Sequence, residues 1–322
     1  VSVKTMLRGE TYHLEIIPTQ IQVKDTLTTS ELNRSYDYCV ELFNRHAKSF
    51  SFASRYLEPD QRRSIAALYG FCRLADDFVD EVQLEPDQID TEINVLGEIV
   101  TRLSHGETFN HPIFHAFGDT LTKYSIPVQY LYELLEGVRM DVHRQEIQTQ
   151  EELNLYCFRV ASTVGLSMCH IWRAIHPETL QRAADLGIAM QQTNILRDIA
   201  EDYDKGRIYI PLETRKRFRI RKEDFEAREI TPNFRDLLKY EIANARANYA
   251  SAEIGIRDLP PAAAFTVKVA SRVYGNILNA IEKMDYQVFK KRAYVPKWKK
   301  FLIAFQCRRE YLRDLRQLVM NP

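Results

Sequence analysis

191-QQTNILRDIAEDYDKGRIYIPL-212 is the stretch on which the fold reading turns. Gln191, Asn194, Asp198 and Asp202 recur in it at steps of three, four and four. At about 100° per residue these side chains fall within roughly 80° of one helix face. Ile195, Leu196, Ile199 and Ala200 flank that face with apolar groups. Gly206 then predicts the end of the helix, and Pro211 reinforces the stop. A helix that aims two amides and two carboxylates along one stripe needs something for them to hold.

A second stripe lies upstream, in 60-DQRRSIAALYGFCRLADDFVDEV-82. Ile65, Leu68, Cys72, Ala75 and Val79 predict its buried face. Tyr69, Arg73, Asp76 and Asp80 follow the same helical spacing. Helices are also predicted at 31–48, 87–104, 113–124, 128–145, 151–172, 233–257, 262–290 and 298–318, with a helix from Pro177 leading into the opening stretch. In 151–172, Ala161, Ser162 and Gly165 are small, so they permit close helix approach or leave room for a ligand. Strand alternation does not persist beyond the first residues and the short 207–212 segment. The expectation is an all-α, single-domain helical bundle over 28–322, preceded by an irregular arm, 1–27.

Composition sets outer limits. Lys+Arg and Asp+Glu both number 44 and the formal net charge is zero, which argues against nucleic acid as the main partner. No apolar run approaches a membrane span and no signal peptide opens the chain. The five cysteines are scattered without a CxxC pair. They read as reduced thiols in a cytoplasmic protein.

Four carboxylates on two stripes, if they face one cavity, repel one another unless a cation sits among them. Hard oxygen donors without His or Cys select Mg²⁺ or Mn²⁺, typically bridged to substrate phosphates. A single DxxxD is more often a solvated helix face; two, each with basic residues nearby (Arg73; Arg197, Lys205, Arg207), favour a metal–phosphate site. A di-iron bundle is rejected, because the one Glu-x-x-His, Glu10 to His13, lies in the arm. His46 reads as an ordinary surface or core histidine rather than a base. Asp76-Asp77-Phe78-Val79-Asp80 also fits the DDxxD of head-to-tail prenyltransferases and terpene cyclases, but Asp198-Ile-Ala-Glu-Asp202 fits neither of their usual second motifs.

Three blocks, 69-YGFCRLADDFVDE-81, 156-YCFRVASTVG-165 and 191-QQTNILRDIAEDYDKGRIYIP-211, resemble the signatures of the squalene/phytoene synthase family. 46-HAKSFSFA-53 resembles its diphosphate-binding block, with Ala47 where serine is frequent. The resemblance runs from about residue 33 to 300. It implies an isoprenoid-synthase fold with a central active-site cavity, and head-to-head joining of two prenyl diphosphates through a cyclopropyl-carbinyl diphosphate. On that reading Asp76, Asp80, Asp198 and Asp202 bind Mg²⁺. Lys48, Ser49, Ser51, Arg73, Gln191, Asn194 and Arg207 meet the diphosphates. Tyr69, Tyr156 and Tyr274, with Arg73, carry catalysis.

Ala66 and Ser54 are small where some relatives with shorter substrates carry aromatics. They favour geranylgeranyl diphosphate and phytoene over farnesyl diphosphate and squalene or dehydrosqualene. NADPH is expected only if squalene is the product. A non-catalytic scaffold of the same ancestry is the reading from another class; it would be expected to lose its carboxylates, which all remain. Finally, Lys290 to Arg316 holds ten Lys/Arg interleaved with aromatics. That run is either a packed helix with a solvated basic face or a peripheral contact with anionic lipid.

Overall fold

The computed structural model describes the backbone of residues 3–7, 10–14, 23–24, 27–80, 85–143 and 145–320; within these, the side chains of 3–7, 10–14, 48–49, 78–80, 312 and 314–320 are outside the description. Two short strands, β1 (Val3–Leu7) and β2 (Glu10–Leu14), pair antiparallel inside the arm that the sequence reads as irregular. The remaining elements among the described residues are helical. In order they are α1 (Thr29–His46), α2 (Lys48–Ala53), α3 (Pro59–Asp80), α4 (Pro86–Ser104), α5 (Pro112–Lys123), α6 (Val128–Val142) and α7 (Gln150–Cys157). They continue as α8 (Thr163–Ile171), α9 (Pro177–Asp204), α10 (Leu212–Arg217), α11 (Lys222–Ala227), α12 (Pro232–Gly255), α13 (Pro261–Lys283) and α14 (Lys297–Met320).

The chain divides into two compact units: Val1–Lys48 with Pro59–Gln145, and Ser49–Glu58 with Glu146–Pro322. In the first unit, α3 packs on α1 and α5. Ile65, Leu68, Cys72 and Ala75 are buried, as their spacing predicts. Phe71 stacks on Phe117 with ring centroids 4.4 Å apart. Thr28 starts α1 through a capping box with Glu31, which satisfies two backbone donors at once. The Tyr36 hydroxyl donates to Asp119 at 2.7 Å and tethers α1 to α5.

In the second unit α9 is the central element, lying along α12 and α13. Leu196 and Ile199 enter its core beside Leu237, Leu238 and Val273, and Ile195 is buried as well. The helix ends as Gly206 predicts. Gly206 has φ +77°, its N–H donates to Tyr203 O, and Arg207 N–H donates to Asp202 O at 2.8 Å. This Schellman arrangement satisfies the last carbonyls, and only glycine enters the left-handed turn without a Cβ penalty. The segment after it is an extended loop, not a strand.

Two predicted helices change. The predicted 151–172 helix is interrupted by one π turn, Phe158–Ser162, between α7 and α8. The predicted 262–290 helix stops at Lys283, because Asp285 (φ +55°) and Tyr286 (φ +61°) reverse the chain. Val288 and Phe289 are nonetheless buried. Their apolar spacing continued the helical pattern past the true end. Arg235 on α12 holds the Asp285 carboxylate with both terminal nitrogens and fixes the reversal.

Candidate active site

On α3 two adjacent aspartates divide between solvent and interior, the stripe's Asp76 and its neighbour Asp77. Asp76 is exposed, whereas Asp77 is buried and receives Arg73 one turn earlier, at 2.6 Å. The spacing of the Asp77 pair is the i,i+4 contact of any helix surface. Arg73, expected at a diphosphate, is therefore also the counter-ion of the middle aspartate in the DDxxD run. Tyr69 packs edge-on against Phe43 with centroids 5.3 Å apart. Burial pushes its phenol up to about 12, with Arg73 opposing and Asp76 adding to the rise. It remains protonated at neutral pH and so acts as a donor or a ring face. Asp80 closes α3, with its side chain among the undescribed ones.

On α9 the stripe is intact along one face. Asn194 Nδ2 donates to Gln191 Oε1 at 3.2 Å. Asn194 Oδ1 is a buried acceptor with no hydrogen-bond partner. Asp198 is gripped from two sides. Arg197 donates to its two oxygens at 2.8 and 2.5 Å, and Arg292 to the same oxygens at 2.7 and 3.0 Å. Burial works to raise the Asp198 pKa, but the two guanidinium groups outweigh it and hold the carboxylate below its ordinary value. Arg292 also reaches Glu201 at 3.4 Å. Tyr274 lies within the field of this cluster: burial raises its pKa, and Arg197, Asp198 and Arg292 all act on it. Behind it the Tyr249 hydroxyl meets Thr193 at 3.1 Å. Asp202, one turn on, sits in the Schellman end, where its carbonyl receives Arg207 N–H.

The block around Tyr156 supplies a second wall of the same unit. Tyr156 is buried and stacks on Tyr209 with centroids 4.8 Å apart. The π turn that follows presses against α9. Ser162 Oγ donates to Ala184 O at 2.6 Å, and a Cβ added at Gly187 would meet Ser162 Cα at 2.4 Å. The small residues at 161–165 thus serve close helix approach. π turns recur at functional sites because the extra residue re-aims neighbouring side chains. Ser51 and Ser54, near the start of the second unit, are both buried, and Ser54 Oγ donates to Ser51 O at 3.0 Å. The side chains of Lys48 and Ser49 lie outside the described ones. His46 is exposed at the end of α1.

Sequence reasoning missed Arg292, Tyr209 and Tyr249 as members of this cluster. Arg292 stands 94 residues from Asp198 in a basic run, 290-KKRAYVP-296. No local periodicity connects the two. Tyr209 had a signal, as an aromatic just after the helix stop.

Comparison with known proteins settles the kinship. A family model described as squalene/phytoene synthase matches residues 43–299. The chain belongs to the squalene/phytoene synthase family. As a member it is a prenyltransferase. The phytoene synthase of Arthrospira platensis is 34% identical over 288 residues, covering 85% of this chain and 93% of that protein. The chloroplastic phytoene synthase 1 of Solanum lycopersicum is 35% identical over 310 residues, covering 93% of this chain and 73% of that one. Among solved structures, a dehydrosqualene synthase with bound ligand superposes with TM-score 0.81 at 26% identity, covering 88% of this chain and 99% of its own. The squalene synthase HpnC from Alicyclobacillus acidocaldarius does so with TM-score 0.74 at 27% identity, covering 80% of this chain and 97% of its own.

The family uses prenyl diphosphates, which suits a divalent metal. Among the described residues no group of three or more His, Cys, Asp and Glu side chains could hold a metal by itself. The oxygen donors of the α9 stripe, with the unpartnered Asn194 Oδ1, fit a hard cation that keeps waters and shares phosphate oxygens.

Proposed function

We propose that the protein joins two geranylgeranyl diphosphates head to head to make phytoene, a step of carotenoid biosynthesis. The observation that carries this reading is the α9 stripe: Gln191, Asn194, Asp198 and Asp202 on one face, set among Arg197 and Arg292. A stripe of acids beside arginines suits a ligand that brings its own negative charge together with metal.

In this reading Asp76, Asp80, Asp198 and Asp202 hold Mg²⁺, or Mn²⁺ in its place. The metal supplies charge neutralisation for the departing diphosphate. Arg73, Arg207, Lys48, Ser49 and Ser51 orient the diphosphates, with Gln191 and Asn194 completing the polar end. The donor C1–O bond breaks with both electrons going to diphosphate, leaving an allylic cation. The acceptor double bond attacks it, one proton is lost, and a cyclopropyl-carbinyl diphosphate forms. A second C1–O cleavage and rearrangement follow, and loss of a second proton gives phytoene. The faces of Tyr69, Tyr156 and Tyr274 stabilise positive carbon, and their raised or buried phenols avoid trapping it as phenolates. Residues 28–322 form the catalytic domain in this proposal, with 1–27 outside it.

The preference for C20 substrate is supported by the phytoene synthase relatives and by the small size of Ala66 and Ser54. The structural neighbours favour a second reading, two farnesyl diphosphates to dehydrosqualene or squalene, the latter with NADPH as hydride donor. Incubation of the pure protein with Mg²⁺ and either diphosphate, with and without NADPH, separates the readings by the hydrocarbon formed. Absence of diphosphate release from both substrates would sink the proposal. A cytoplasmic protein with peripheral membrane contact through 290–316 is the location that goes with it; among the described residues no helix is long and apolar enough to cross a membrane.

A further inference from the structure

α14 has two apolar faces, and the fold uses one of them. Ile303, Ala304 and Cys307 are buried in the core of the second unit. Trp298, Phe301, Leu302 and Phe305 are exposed by 66, 59, 45 and 58%. Their steps of three, one and three place them on a single outward face. The face continues onto the end of α2. Phe52 meets Phe301 edge-on at 5.0 Å, and the exposed Tyr56 follows, itself seated on Phe265 at 4.7 Å. A contiguous aromatic patch of this kind on a soluble surface marks a contact.

The charges around it select the partner. Lys297, Lys299, Arg308 and Arg309 lie on the same helix, and Arg55 lies over Phe52. Glu310, the one acidic residue of α14 whose side chain is described, is neutralised by Arg272 at 2.7 Å and Lys268 at 3.0 Å. The hydrogen bond from Arg272 is the main reason its carboxyl is lowered to about 2. The patch therefore presents aromatic side chains ringed by cations. A second copy of the chain would set the same cations against each other. A bilayer with anionic headgroups satisfies both parts, with rings at the acyl boundary and cations at the phosphates.

We infer that the Trp298–Phe301–Leu302–Phe305 face of α14, extended by Tyr56, is an interfacial anchor that inserts into anionic membrane. This deepens the peripheral contact proposed above by naming the inserting side chains and the lipid class. It rests on that reading for its purpose, delivery of a long hydrocarbon, but its geometry stands alone.

The protein carries its own reporter. Of its two tryptophans, Trp172 is 5% exposed and Trp298 is 66% exposed. Adding vesicles of phosphatidylcholine and phosphatidylglycerol in equal amounts should shift the Trp298 emission to the blue and sediment the protein. Vesicles of phosphatidylcholine alone should do so at least about tenfold less well, and raised salt should weaken binding. The triple variant Trp298→Ser, Phe301→Ser, Phe305→Ser should lose sedimentation by about tenfold or more while keeping helix content. No emission shift with the unmodified protein, or equal sedimentation of the triple variant, overturns the inference. So does burial of the patch by self-association, read as a concentration-dependent dimer without lipid. Turnover of detergent-dispersed substrate separates the two proposals. Lipid binding without turnover removes the synthase reading and leaves the anchor; turnover without lipid binding does the reverse.

Discussion

The acid stripes of α3 and α9 look alike in sequence and differ in how their charge is balanced. On α3 the buried carboxylate is Asp77, and its cation, Arg73, sits one turn away on the same helix. On α9 the held carboxylate is Asp198. Its cations come from the adjacent Arg197 and from Arg292, which is distant in the chain. A pair within one helix forms whenever the helix forms. A pair made by a loop exists only when that loop is in place, and it can exchange its partner without disturbing the helix. Arg292 is 53% exposed, Arg73 30%. The comparison therefore assigns a structural ion pair to α3 and an exchangeable one to α9.

The strongest way to break this contrast is Asp198→Ala. Loss of a stripe carboxylate should lower turnover by at least about 10²-fold, with far-ultraviolet circular dichroism unchanged. Unchanged turnover would remove α9 from the chemistry. Next in size is Gly187→Ala, which tests the seat of α9 rather than its stripe. The added methyl would lie 2.4 Å from Ser162 Cα, a backbone atom that cannot swing away. Overpacking of this kind should cost about 2–3 kcal/mol of stability, read by urea denaturation. An unaltered midpoint would show that the π turn and α9 are not in firm contact.

Most of the helical order was legible before any coordinates. Prolines at N1 mark the starts of α4, α5, α9, α12 and α13, and Gly206 marks the end of α9. The stripes were legible because they are local, with every member within a few turns. The π turn at Phe158–Ser162 was not, since one extra residue hardly disturbs the apolar pattern of a helix made of small side chains. The end of α13 was missed because Asp285 and Tyr286 enter the left-handed region without a glycine to announce it. Arg292 was missed for a different reason. Its basic neighbours suggested a lipid-facing run, and nothing in the sequence distinguishes the one arginine that turns back onto Asp198.

Two smaller effects sharpen the comparison. Arg73→Ala leaves Asp77, with a side chain 12% exposed, without that counter-ion. A buried charge stripped of its partner should cost about 1–3 kcal/mol, and a double-mutant cycle with Asp77→Asn should recover much of it. Additive losses in that cycle would show that the pair does not couple.

Arg292→Ala should cost less, within about 1 kcal/mol, since the lost side chain is half exposed and Arg197 still holds Asp198. Its signature is in pH rather than in stability at neutrality. Asp198 is depressed below its unfolded value, so its contribution is present above the unfolded pKa and is lost as pH falls through the folded one. Removing one of the two guanidinium groups lets burial regain ground and raises the folded pKa. The acid limb of the stability curve should then move to higher pH in Arg292→Ala and stay in place in Arg292→Lys. Arg73→Ala should leave the Asp198 titration, followed by carboxyl NMR, where it was. If both arginine variants moved it equally, the distinction between a fixed pair on α3 and an exchangeable one on α9 would fall.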